Sequence, residues 1–329
     1  MLGTRAAERV HLDARARAAN PPRAARRRPA ARPRKLVLGL MQDRRSSKPS
    51  TGLKPVDGVL QWLLGGDPAI RWQTLRDLVG ASARAVEQER SKVASDGWGV
   101  RLLAEQDAEG TWAGGHPTAG SIRQNGRPRP TPCCCCATSV WWRPTGQHGK
   151  HAGFSLIAMH LLEAQMADGG WNCRRPAGAT HASMHTTISV LEGLRLLELH
   201  CTRDVDALRA AQRRGREFLL VHRLFRSPRT GSIIKSDFTR FVFPPRWHYD
   251  ILRALDYFQA VDAPRDPRLA EAIDIVTTRQ REDGRWSLQY SYKGKTYFQL
   301  ERIGMPSRWN TLRALRVLKW WNRAETAGG

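Results

Sequence analysis

Cysteine, histidine and aspartate side chains set among tryptophans are where this sequence could do chemistry. Cys173, His181 and His185 offer one thiolate and two imidazoles, with the histidines four residues apart, a set that could take a zinc ion. The same three residues serve equally well as polar loop and helix-cap groups, which is the preferred reading, so no metal or other cofactor is expected. The four consecutive cysteines Cys133, Cys134, Cys135 and Cys136 cannot all turn toward one ion as spaced pairs do. Cys173 and Cys201 show no spacing that marks a disulfide. The groups available for acid–base work are His185, His248 and Asp250, and the last two need a partner, water or ligand wherever they are buried.

An internal repeat must position these groups. Gln106-x-x-x-Gly110-x-Trp112, Gln165-x-x-x-Gly169-x-Trp171 and Gln280-x-x-x-Gly284-x-Trp286 share one spacing, and a degenerate fourth copy has Arg223, Gly231 and Ile233 at the three places. Positions 112, 171, 233 and 286 lie 53 to 62 residues apart, room for two helices and their loops. Each copy follows an apolar stretch of helical period, such as Phe154, Leu156, Ile157, Leu161 and Leu162 before Gln165. The glycine permits the left-handed backbone that ends a helix, the glutamine can bond leftover carbonyls, and the tryptophan covers it. This is a structural clamp between helices, with no catalytic part.

A second kind of helix start lies between the clamps. Arg71-Trp72-Gln-Thr-Leu75-Arg76 is echoed by Arg308-Trp309-Asn-Thr-Leu312-Arg313 and, with one insertion, by Arg246-Trp247-His248-Tyr-Asp250-Ile-Leu252-Arg253. Ser183-Met-His185-Thr-Thr-Ile188 takes the same place after Trp171. From Trp247 the apolar residues Ile251, Leu252, Leu255 and Phe258 follow one helical stripe. The pattern predicts an all-α chain that alternates two helix types.

The spacing Gln-x-x-x-Gly-x-Trp after an outer helix resembles the QW motif of squalene–hopene and oxidosqualene cyclases. The helix-pair repeat is similar to their α/α barrel, which protein prenyltransferase β subunits share. The resemblance covers residues 56–112 and 154–321. It implies an α/α toroid over residues 51–329, with inner helices beginning at Trp72, His185, Trp247 and Trp309 and opening into a central cavity. Trp72, His185, Trp247, His248, Asp250 and Trp309 would then converge on one opening, with aromatic walls suited to an isoprenoid or other apolar ligand and able to stabilise carbocations. Both families' chemical signatures are missing: the chain has neither Asp-x-Asp-Asp nor Asp-x-Cys. Enzyme chemistry on an isoprenoid therefore stands beside a noncatalytic binding or scaffold barrel. A carbohydrate-active α/α barrel ranks last, because it calls for paired cavity carboxylates and only Asp250 is placed near an inner-helix start.

The formal charge of +24 invites a nucleic-acid reading, but its distribution argues otherwise. Residues 1–40 hold eleven basic against two acidic side chains, and residues 113–152 hold five basic and no acidic ones. The basicity is local, and no specific nucleic-acid site is expected. Residues 1–50, rich in Arg, Ala and Pro without hydrophobic period, read as a disordered basic arm. Such an arm could contact nucleic acid or an anionic membrane or address an organelle. A start placed too far upstream in a GC-rich gene, with Met41 as the true start, explains it better. Residues 113–152 are likewise irregular. With TGC codons, residues 132–140 read two bases later give Leu-Leu-Leu-Leu-Arg-Asp-Leu-Gly, and Leu-Arg-Asp-Leu recurs in frame at residues 75–78. That points to a local frameshift that overwrote a helix. No stretch reaches the roughly 18 apolar residues of a membrane helix, so a cytoplasmic protein with at most peripheral membrane contact is expected. N-terminal sequencing of the native protein should begin at Met41; a peptide from residues 1–35 would overturn that start.

Overall fold

Where apolar residues recur at helical spacing, the chain is helical. The computed structural model describes residues 57–108, 150–200, 205–292 and 296–323, all within the compact unit Thr51–Gly329. The basic arm with Met41, residues 109–112 of the first repeat, and residues 113–149 with the four adjacent cysteines lie outside the described residues, as does Cys201. Helices run in the order α1 (Asp57–Leu64), α2 (Pro68–Thr74), α3 (Ala83–Ser91), α4 (Gly97–Ala104), α5 (Lys150–Glu163), α6 (Met184–His200), α7 (Val205–Val221), α8 (Ile251–Ala260), α9 (Ala270–Thr278) and α10 (Arg308–Trp321). The described residues contain three isolated β-bridges and no strand, so this part of the chain is all-α. Residues 150–152, expected within the irregular segment, open α5 instead.

Short polar side chains set the helix starts. Asp67 accepts the Ala69 N–H at 2.8 Å with Pro68 at the first helical position, Asp250 accepts the Arg253 N–H at 2.9 Å, and Ser307 accepts the Asn310 N–H at 3.0 Å. These caps correct two expected starts. The helix expected at Trp72 begins one turn earlier, at Pro68, and the one expected at Trp247 begins at Ile251. His185 and Trp309 do fall within the first two residues of α6 and α10. Past Thr74 the chain widens into a π turn, Leu75–Val79, which closes on Gly80 at φ 73°.

Two repeat copies form the same turn, bond for bond. The Trp171 indole N–H donates to Leu161 O at 2.7 Å, and that of Trp286 to Val276 O at 2.7 Å. Their backbone N–H groups both reach a threonine hydroxyl of the following helix, Thr187 and Thr311, at 3.0 Å. The glutamines span the turn, Gln165 to Gly169 O at 2.7 Å and Gln280 to Gly284 O at 3.2 Å, and Gln165 also bonds Ala211 O on α7 at 2.9 Å. Gly169 has φ 89°, and an added Cβ would stand 2.6 Å from Arg214 O. The degenerate copy differs: Ile233, where the tryptophan would stand, is half exposed and pairs with Arg226 in an isolated bridge. An isoleucine side chain has no N–H to give a helix carbonyl, and the segment closes on itself instead, with the Ile234 N–H on Phe225 O and the Ser227 N–H on Ser232 O, both at 2.9 Å.

Packing places α6 against α8, α8 against α10, and α10 against α2, a row of four helices. Helix α7 backs α6, α5 packs on both of these, α9 backs α8 and α10, and α1 and α3 lie on α2. Apolar stripes meet in one cluster whose largest fully buried members include Trp171, Trp286, Tyr249, Phe241 and Phe258. Removing a fully buried indole loses both burial and its hydrogen bond. Trp286→Ala should therefore cost about 3–5 kcal/mol in urea unfolding, and Thr311→Val about 1 kcal/mol. A loss under about 1 kcal/mol for Trp286→Ala would show that this turn does not hold the helices.

Candidate functional site

A cavity of about 720 Å³ lies among α2, α6, α8 and α10. One part of its wall is aromatic, made by Trp72, Phe243, Tyr257 and Trp309. Trp309 stacks on Phe243 with centroids 4.3 Å apart at 12°, and Trp98 lies beyond at 6.2 Å. The first turn of α10 that carries Trp309 is held by Glu301, whose carboxylate accepts the N–H of Arg308 at 2.7 Å and the hydroxyl of Ser307. Burial raises the Glu301 pKa, while Ser307 and the two backbone N–H groups it accepts act against the rise.

The rest of the wall is charged. Arg316 grips Asp256 through two bonds of 2.5 and 2.7 Å and reaches Asp77 at 3.1 Å and Gln73 at 3.2 Å. Burial alone would depress the Arg316 pKa, yet Asp256 and Asp77 hold it above the usual range. Burial likewise works against the Asp77 carboxylate, but Arg76 and Arg316 overcome it and keep its pKa low. Arg253 makes a similar two-bond pair with Glu192, at 2.9 and 2.5 Å. Six arginines and three carboxylates line the cavity, counting Arg76, Arg90, Arg195, Arg253, Arg313 and Arg316 against Asp77, Glu192 and Asp256.

Two features of this wall are unfinished. The indole nitrogens of Trp72 and Trp309 are buried without a hydrogen-bond partner, in side chains only 4% and 2% exposed. An unpaired buried donor costs about 1–3 kcal/mol. Arg195 makes no hydrogen bond or ion pair among the described residues; burial lowers its pKa, Tyr257 and Asp256 act against that, and Arg76 and Arg316 repel it.

Of the six residues expected to converge, Trp72 and Trp309 line this cavity, and the other four lie elsewhere. Trp247 precedes the α8 cap in a turn where Arg246 has φ 52°, and it is 63% exposed. His248 is stacked between Trp247 at 3.7 Å and Tyr292 at 3.4 Å, with His185 edge-on at 5.7 Å. His185 accepts the Tyr249 N–H on Nδ1 at 2.8 Å, so its neutral ring carries the proton on Nε2. Asp250, 1% exposed, is occupied as the α8 cap, its pKa raised by burial against the pull of Arg313 and the Arg253 N–H. Cys173, His181 and His185 do not assemble: among the described residues no three His, Cys, Asp or Glu side chains converge as a metal site requires. No described helix is long and apolar enough to cross a membrane.

Sequence reasoning missed the charged wall. Its signal was present as Glu192 and Arg195, Arg253 and Asp256, and Arg313 and Arg316, each pair three residues apart on one helix. No protein-family model, curated protein or solved structure matches the chain.

His185 and His248 both titrate at about 4 instead of 6.5, His185 through burial and then Lys235 and Arg253, His248 through burial and then His185, Arg246 and Arg253. Unfolded imidazoles therefore take up protons first as pH falls, so the stability tied to the neutral rings is whole above 6.5 and lost between 6.5 and 4. The thermal midpoint should fall more steeply over that window in the wild type than in His248→Phe; parallel profiles would show that His248 does not titrate as described.

Proposed function

We propose that the chain is an α/α toroid of the kind found in terpenoid cyclases and protein prenyltransferases, and that its cavity binds an isoprenoid or other largely apolar chain. The observation that carries this reading is the aromatic wall of a cavity set among four successive helices of one kind. Its volume of about 720 Å³ falls in the range of small-molecule sites, about 300–1,000 Å³. The toroid is supported by the row α6, α8, α10, α2, by the helices that back that row, and by two copies of one tryptophan turn at matching points of the chain.

Binding without alkene protonation fits the charged groups better than cyclisation does. A proton donor needs a protonated carboxyl, whereas Asp77 is held low by Arg76 and Arg316, and Asp256 and Glu192 each accept two bonds from one guanidinium. The same pairing weighs against a glycosidase, whose acid must also carry a proton.

Calorimetric titration of the full chain with farnesol should give one saturable site. Ala260→Trp, which puts an indole into the cavity from the end of α8, should weaken it at least tenfold, whereas Trp247→Ala should change it less than twofold. Absence of saturable binding, or equal losses from both variants, would remove the reading.

A further inference from the structure

A second group of open side chains lies outside the cavity, around the loop before α8 and the start of α6. Trp247, His248 and Tyr292 form one stack, the first two rings 3.7 Å apart at 26° and the last two 3.4 Å apart at 8°. His185 stands edge-on beside it, 5.2 Å from Trp247 and 5.7 Å from His248, so it does not cover the outer face of the indole. That indole is 63% exposed yet backed by two rings, a flat platform that loses little freedom when another ring lies on it. Hydrogen-bonding capacity beside the platform is unspent. His185 accepts the Tyr249 N–H on Nδ1, which leaves its Nε2–H without an acceptor among the described residues, and neither ring nitrogen of His248 has a partner there. None of these three nitrogens is sealed from water. A cation completes the group: Phe238 packs edge-on to His185 at 5.4 Å, and the Lys235 ammonium lies 5.9 Å over the Phe238 ring, exposed and with no ion pair among the described residues. After burial itself, Lys235 is the first influence that keeps the His185 ring neutral. Asp237, the acid felt by His248, is paired with Arg240 at 3.1 Å and leaves Lys235 to a ligand.

A flat ring surface, neutral hydrogen-bonding groups and an unpaired cation match a ligand built in the same three parts. We propose that this cluster binds a mononucleotide, with its base stacked on the open face of Trp247, its ribose against the His185 Nε2–H and the edge of His248, and its phosphate on Lys235. Neutral imidazoles suit ribose, whose hydroxyls both donate and accept. Trp247, His185, Phe238 and Lys235 follow one another in steps of 5.2, 5.4 and 5.9 Å, the scale on which base, sugar and phosphate follow one another in a nucleotide. A sugar alone would leave Lys235 unused, and an inorganic anion would leave the platform bare. None of these residues lines the cavity, so the site does not rest on the cavity reading.

Calorimetric titration of the full chain with AMP, adenosine and ribose 5-phosphate takes the ligand apart at the same joints. AMP should fill one saturable site, at least fivefold more tightly than adenosine and at least tenfold more tightly than ribose 5-phosphate. Trp247→Ala should weaken AMP and adenosine at least tenfold each, whereas Trp247→Phe should keep most of the affinity. Lys235→Gln should bring AMP down to the level of adenosine and leave adenosine within twofold, and Lys235→Arg should preserve the difference. Both side chains are exposed, so these variants should melt with the wild type. Ribose 5-phosphate bound as tightly as AMP would overturn the platform, and adenosine bound as tightly as AMP would overturn the phosphate contact; either result ends the proposal, as does the absence of saturable AMP binding. Farnesol should not compete with AMP, and competition between them would place the nucleotide in the cavity and overturn this site.

Discussion

One tryptophan bonded to the helix before it and the helix after it fixes how consecutive helices meet. The Trp171 indole ties down the end of α5 through Leu161 O, and its backbone N–H reaches Thr187 in the first turn of α6. Trp286 does the same between α9 and α10 through Val276 and Thr311. Each indole is rigid and fully buried, so the two helices it joins have little freedom to slide or turn. His185 and Trp309 both stand two residues before the threonine that receives this bond. They enter the fold at equivalent points and meet different neighbours: His185 finds the Tyr249 N–H, and Trp309 finds the ring of Phe243.

Charge then joins the helices that the tryptophans orient. Arg316 on α10 bonds Asp256 on α8 and Asp77 in the π turn after α2, bracing three helices from one side chain. Ionised groups lose several kcal/mol each when taken from water, and only close geometry offsets the loss. A network facing a cavity keeps part of its surroundings polar, which lowers that cost.

Arg253 connects the charged wall of the cavity to the partly buried aromatic cluster around His248. Its guanidinium bonds Glu192 on the cavity side and His248 O at 2.6 Å on the other, and its backbone N–H takes the Asp250 cap. The stack of Trp247, His248 and Tyr292 therefore rests on the same turn of α8 that shapes the cavity. The neutral histidines follow from that setting, where burial and the surrounding cations disfavour a second proton.

The all-helical character of the described residues was legible in the sequence. Helical period marked the helices, and the Gln-x-x-x-Gly-x-Trp spacing located two turns whose bonds the structure repeats, because glycine's left-handed backbone and the indole donor act within a short stretch of chain. The same reasoning overreached at Ile233, where only the glycine two residues before it survived and the indole donor did not. It also placed the starts at Trp72 and Trp247, although Asp67 and Asp250, with their capping oxygens, were in view. Of the six residues expected to converge, Trp72 and Trp309 line the cavity, while Trp247, His248 and His185 form a separate cluster and Asp250 is spent as a cap. Tertiary structure alone decided that Arg195, Asp256 and Arg316 face one space, because they come from three helices whose rotation about their own axes is set by packing against neighbours. A sequence states which residues share a helical face; only the assembled helices determine what that face looks upon.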